Sequence, residues 1–195
     1  MNPAIQDLMD DHQVILRMLS VLNGICLRLR EGQAVAVADL DAAVDFIKTF
    51  ADFCHHGKEE DILFPAMVEM GLPRESGPIA VMLMEHEQGR AYVRSLGAAL
   101  ERVRSGEPEA LKDVSCSAMG YVSLLTDHIG KEDGILYPMA IDAIPPERWT
   151  VLKNEFDRVE RERMGPQRRA GYIELVDRLL IAYPAPQTAR PPGRV

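Results

Sequence analysis

No run of this sequence stays apolar for the roughly 18 residues that a membrane-crossing helix needs. The N-terminal residues Met1 to Asp11 lack both the basic stretch and the apolar stretch of a signal peptide. Basic residues are in deficit: the 195 residues carry a net charge of −8, and no cluster of Lys and Arg marks a surface for nucleic acid or an anionic membrane. Cysteine is sparse. Cys26, Cys54 and Cys116 are odd in number, widely spaced and without a C-x-x-C pair; this argues against a disulfide framework, and the three read as reduced core residues. The expectation is a cytoplasmic protein with no nucleic-acid or membrane partner, and the protein partner is left open. At this length one hydrophobic core, with room for a small appendage, is expected.

The periodicity is helical throughout. Ile5, Leu8, His12, Ile15, Leu19, Leu22, Cys26 and Leu29 follow alternating steps of three and four, the spacing of a helix face turned to a core. Ile79, Met82, His86, Gly89, Val93, Leu96, Leu100 and Val103 repeat it. Two further stripes run Val44, Ile47, Ala51, His55, Glu59, Ile62, Ala66 and Leu111, Val114, Ala118, Tyr121, Leu125, His128, Glu132, Ile135, Met139. Each stripe holds at least one residue able to bind a metal.

Punctuation sets the boundaries. Pro3 suits a first helical turn, Gly32 closes helix one, Gly71 and Pro73 stop helix two, Gly77 and Pro78 open helix three, Gly106 and Pro108 separate three from four, and Pro145-Pro146 end four. Long helices joined by short turns form an all-α, up-down-up-down four-helix bundle over residues 1–142. Two shorter amphipathic helices are expected at 143–183, around Trp149, Leu152, Phe156 and Val159 and around Ile173, Val176, Leu179 and Leu180, packed outside the bundle. The proline-rich residues 184–195 read as a flexible tail.

One pattern occurs twice. His55-His56-Gly57-Lys58-Glu59-Glu60-Asp61-Ile62-Leu63-Phe64-Pro65 and His128-Ile129-Gly130-Lys131-Glu132-Asp133-Gly134-Ile135-Leu136-Tyr137-Pro138 share H-x-x-K-E-[ED]-x-I-L-[FY]-P. On a helix, residues four apart stand on one face, so His55 with Glu59, and His128 with Glu132, each form half of a metal site. Buried unpaired glutamates cost several kcal/mol each, which calls for cations. Histidine with carboxylate suits Fe, Mn or Zn, and the missing thiolates argue against an iron–sulfur cluster. Aligning the copies pairs His56 with Ile129 and Glu60 with Asp133, which reads His56 and Glu60 as supporting or surface residues. Asp11 and Glu85 precede inward histidines and read as surface or capping residues, with a supporting role as the alternative. Met82 and Tyr121 read as packing, and Arg90 as rim.

With these motifs the sequence resembles the hemerythrin family, in its bacterial and archaeal HHE cation-binding branch. The matching residues are Asp11-His12, His55-His56-x-x-Glu59-Glu60 with Leu63-Phe64-Pro65, Glu85-His86, and His128-x-x-x-Glu132 with Leu136-Tyr137-Pro138. The resemblance implies a four-helix bundle around two non-haem Fe ions, an oxo- or hydroxo-bridged di-iron centre with the glutamates as bridges. Its implied metal ligands are His12, His55, Glu59, His86, His128 and Glu132. Oxygen-carrying hemerythrins have a second histidine one turn from the one on helix three, where this chain has Met82 and Arg90, and an aspartate five residues after the one on helix four. Four His and two Glu are closer to di-iron proteins that repair iron–sulfur clusters or handle peroxide or nitric oxide. The function expected is therefore binding of, or reaction with, O2, peroxide or NO. The second expectation is an iron- or oxygen-sensing module, or an iron donor or store.

Overall fold

A computed structural model describes residues 2–185, and every described element is helical. The tail read from 184 onward falls, past residue 185, outside the described residues. Helix α1 spans Pro3–Arg30. It begins where the Asn2 side chain accepts hydrogen bonds from the Ala4 and Ile5 amides, satisfying donors that a helix start leaves free. Helix α2 occupies residues 37–69 and α4 residues 111–143, each continuous but mixed in winding. Helix α3 spans Gly77–Arg104. Gly71, Gly77 and Gly106 bound the turns between them with φ of +96°, +68° and +90°, a region that favours glycine. No helix among the described residues is long and apolar enough to cross a membrane.

The four long helices close a ring of contacts: α1 packs on α2 and α4, and α3 packs on α2 and α4. Two apolar clusters fill the ring. One gathers Met18, Leu22, Ile25, Phe46, Phe50, Leu96 and Leu125. The other gathers Ile5, Leu8, Leu63, Phe64, Met67, Ile79, Met82, Leu136 and Tyr137. The buried polar residues, His12, His55, His56, Glu59, His86, His128 and Glu132 among them, are absent from both clusters.

The winding departs from a plain α-helix within both motif copies. Glu59–Leu63 and Glu132–Leu136 are π-helical, with the Phe64 and Tyr137 amides bonded five residues back to the Glu59 and Glu132 carbonyls. A wider turn advances the inward face by one residue. Leu136 is buried and Ile135 exposed, so the fourth stripe does not continue through Ile135. Beyond Glu132 the inward positions run in steps of four, Leu136 and Ala140; beyond Glu59, Leu63 and Met67 are buried together with the expected Ile62 and Ala66. A longer π-helical stretch, Ile47–His56, leads into the first copy. Of the cysteines, Cys26 and Cys54 are buried as expected, whereas Cys116 is exposed.

Helices α5, Trp149–Arg163, and α6, Pro166–Ala182, lie against α1 and α2. They do more than coat the bundle. Trp149, Leu152, Phe156 and Val159 belong to one core cluster, and Tyr172, Val176 and Leu179 to the other. Helix α6 starts well ahead of Ile173, because Gly165 takes φ +77° and Pro166 opens a new first turn. At Gly24 an added Cβ would collide with the Tyr183 carbonyl, so α1 must be bare there for the end of α6 to seat.

If α5 is integral to the core, Phe156→Ala should destabilise the protein by about 3–5 kcal/mol, measured by chemical unfolding. A loss below about 1 kcal/mol would mean that α5 rests on the surface.

Candidate metal centre

Between the apolar clusters the four helices bring together five imidazoles and two carboxylates. One set of donor atoms, from His12, His55, Glu59 and Glu132, lies within 4.8 Å of one another; a second, from His56, His86 and His128, does likewise. The carboxylates stand between the sets. Glu59 Oε2 is 3.6 Å from His55 Nε2 and 3.6 Å from His86 Nε2. Glu132 is 3.2 Å from both His12 Nε2 and His128 Nε2. Each glutamate thus faces imidazoles of both sets, the placement a bridging carboxylate requires.

Every histidine turns Nδ1 outward to a carboxylate. His12 meets Asp133 at 2.8 Å, His86 meets Glu60 at 2.6 Å and His128 meets Glu85 at 2.9 Å. His56 meets Asp52 at 3.3 Å, and His55 faces Asp11 at 3.5 Å. A carboxylate on Nδ1 places the proton there and aims the Nε2 lone pair inward, the arrangement usual for metal-binding histidine. The inward atoms then lack donors. His86 Nε2 and His128 Nε2 stand 3.1 Å apart, lone pair against lone pair if both rings are neutral. Both His55 ring nitrogens, Glu59 Oε2 and both Glu132 oxygens are buried without a hydrogen-bond partner, Asp11 standing near His55 Nδ1 as a charge only. Buried acceptors converging without donors need a cation. The donors present, nitrogen and oxygen without sulfur, fit iron.

The electrostatics agree. Burial pushes the His55 imidazole down to about 4, against the pull of Asp11. Burial, and then the charge of His86, hold His56 well below the usual range. Both rings are therefore neutral, with lone pairs to offer. Burial alone would lower His12 too, but the hydrogen bond to Asp133 and the nearby Glu132 carboxylate outweigh it and raise His12 to about 9. Burial, and then the nearby Glu132, push the Glu59 carboxyl well above the usual range, while the surrounding imidazoles, His128 foremost, keep Glu132 low in spite of its burial.

The chain's two halves support the centre by the same scheme. Asp11, just before His12, serves His55; Glu85, just before His86, serves His128. Glu60, just after Glu59, serves His86; Asp133, just after Glu132, serves His12. Lys58 pairs with Asp11, and its counterpart Lys131 pairs with Glu85. The repeated motif is thus one half-site used twice, and Asp11 and Glu85 are supporting residues, not surface ones.

The halves also diverge. His56 stands where Ile129 stands in the other copy. It is buried, its ring stacked on His86 at 3.9 Å. His56 is not the surface residue that one alternative expected, because α2 lies between α1 and α3: His55 faces His12 on one side, and the next residue faces His86 on the other. Ile129 is buried as well, so the alignment with an apolar residue never argued for exposure. Asp52, one turn earlier and bonded to His56, was the available signal. Tyr137 donates to Glu59 at 2.8 Å, whereas its counterpart Phe64 has no hydroxyl. Arg90 is no free rim residue: it donates to Asp52 at 2.8 Å and to Glu60 at 2.7 Å, the carboxylates that hold His56 and His86. Last, α5 and α6 cover one half only. Lys58 Nζ donates to Asp7, Asp11 and Glu160, and Arg169 donates to Asp11.

That cover makes two equivalent lysines unequal. Lys58 is wholly buried, while Lys131 is 37% exposed. Lys58→Met should cost about 3–5 kcal/mol by removing a buried cation shared by the buried Asp11 and the part-buried Asp7 and Glu160, and Lys131→Met less than about 1 kcal/mol. Equal losses in chemical unfolding would contradict the asymmetry.

Comparison with known proteins bears on this geometry. The family model described as hemerythrin HHE cation-binding domain matches residues 4–140. An uncharacterized protein of Mycobacterium tuberculosis is 23% identical over 176 residues, 90% of this chain and 67% of its own length. An iron-sulfur cluster repair protein, YtfE, of Salmonella schwarzengrund is 34% identical over 91 residues, 45% of this chain and 40% of its own length. No solved structure gives a significant match.

Proposed function

The chain belongs to the hemerythrin HHE cation-binding family, and from that premise and the donor sets we propose a non-haem di-iron protein whose centre reacts with a small oxidant. O2, peroxide or nitric oxide would be the ligand, and the setting a redox or stress response in the cytoplasm. In this reading α1 to α4 run alternately up and down. The observation that carries it is the convergence of buried nitrogen and oxygen donors from all four helices at one place, with atoms of His55, Glu59 and Glu132 there left without a hydrogen-bond partner.

His12 and His55 would hold one iron, and His86 and His128 the other, with Glu59 and Glu132 shared. His56 joins the second set as a seventh ligand. Bound iron supplies coordination positions for a small ligand and one-electron redox steps. The chain's own residues do the rest. Carboxylates on Nδ1 fix each imidazole and raise its basicity. The Tyr137 hydroxyl, 3.3 Å from His12 Nε2 and bonded to Glu59, orients one shared carboxylate. Burial on all sides keeps bulk water from the donors.

In place of a second α3 histidine, His56 would reach the same set from α2. The preference for oxidant chemistry over oxygen carriage rests instead on the partial likeness to the repair protein. A sensing role is the second reading, favoured by one observation: Glu160 and Arg169, from α5 and α6, end on Lys58 and Asp11 beside His55.

The iron-reconstituted protein should hold about two irons per chain. Glu59→Ala and Glu132→Ala should each lose more than about one, because each serves both sets, and His56→Ala should lose about one. A single metal, or zinc in a four-coordinate site, would contradict the proposal; full occupancy in His56→Ala would return the ligand set to six. Chelation should lower the Tm by more than about 5 °C. An unchanged Tm between verified metal-free and loaded samples would mean that the metal is not a buried partner of the fold.

A further inference from the structure

The motif's near-symmetry points to a place where the two halves differ in volume. Three residues after His12 stands Ile15, buried in the core. Three residues after His86 stands Gly89. Gly89 borders a cavity of about 170 Å³ between α2, α3 and α4, at the position where the other half carries the larger Ile15. Its wall includes Ile47, Val93, Tyr121 and the His56 ring. An apolar wall of this size admits a small molecule readily.

Charge selects among small molecules. Asp52 and Arg90 border the cavity, but they bond each other, and Arg90 also spends its other nitrogens on Glu60 and Glu87. No charge is left over inside to match an ion, and an anion would meet Asp52. Lys48 and Arg94, also lining it, are exposed and mark the mouth. Moving an anion past them into an apolar space would strip its hydration without compensation. A neutral diatomic incurs no such cost.

We propose that this cavity is a binding site for one small uncharged molecule, of the size and polarity of O2 or NO, held against His56 at the edge of the second donor set. The proposal rests on the di-iron reading for its purpose but not for its occupancy. Gly89 is its determinant, and the isoleucine of the other half is the side chain that would close it.

The test uses the full chain and xenon as the probe, with and without iron. Saturable shifts of the Gly89 and Val93 amides in 1H–15N spectra are expected under xenon, and Gly89→Ile should abolish them. At equal iron content, Gly89→Ile should also slow the optical change on NO addition by about tenfold. If that variant fails to fold, Gly89→Ala serves: its Cβ would meet Leu125 at 3.5 Å and Tyr121 at 3.6 Å, ordinary contacts, and xenon binding should weaken without loss of fold. Shifts produced by azide and not by xenon would overturn the proposal in favour of an anion site. Absence of any xenon response at Gly89, or a response unchanged in both variants, would overturn it too. A protein that binds xenon but no iron would refute the di-iron reading alone; one that binds iron but no xenon would refute the cavity alone.

Discussion

Two glutamates buried among five imidazoles are the constraint on which the rest of the structure depends. Burying Glu59 and Glu132 as bare ions would cost several kcal/mol each, and each has a carboxylate oxygen without a hydrogen-bond donor. The imidazoles cannot supply donors while their Nδ1 atoms are committed to Asp11, Asp52, Glu60, Glu85 and Asp133. Positive charge has to come from outside the ligand sphere, as protons or as metal. The layers further out follow from this. Lys58, Arg90, Lys131 and Arg169 neutralise the outer carboxylates, so charge alternates from the centre to the surface.

The scheme is used twice, and its departures from symmetry are more informative than its repeats. An exchange of supports runs between neighbouring helices: the acid beside each histidine of α1 and α3 holds a histidine of α2 and α4, and the acid beside each shared glutamate returns the favour. Such crossed support ties the donor geometry to the packing of all four helices, so a shift of one helix disturbs two histidines. Helices α5 and α6 reinforce only the half that contains Lys58. The other half has Lys131 open to solvent, a third imidazole from His56, and the space left by Gly89. One half is braced and the other is accessible.

Much of this was legible in the sequence, for a physical reason: helices with a period near 3.6 project a one-dimensional spacing directly into a shared face. His12, His55, Glu59, His86, His128 and Glu132 are all placed at the centre by stripes and motif alone. What escaped depended on winding or on neighbours in space. The π turns at Glu59–Leu63 and Glu132–Leu136 shift the face by a residue, which a fixed period cannot register, and so Ile135 was read inward. His56 escaped because matching the two copies treats equivalence in sequence as equivalence in chemistry. The links from Glu160 and Arg169 to Lys58 and Asp11 escaped because they join residues over a hundred positions apart.

The central claim is that the two donor sets hold two irons joined by Glu59 and Glu132. Iron K-edge X-ray absorption on the reconstituted chain tests it most directly. Shared carboxylates require an iron–iron scattering shell at about 3.5–4 Å or shorter, with nitrogen and oxygen neighbours and no sulfur. A spectrum fitted by isolated iron, with no metal–metal shell at full occupancy, would contradict the account.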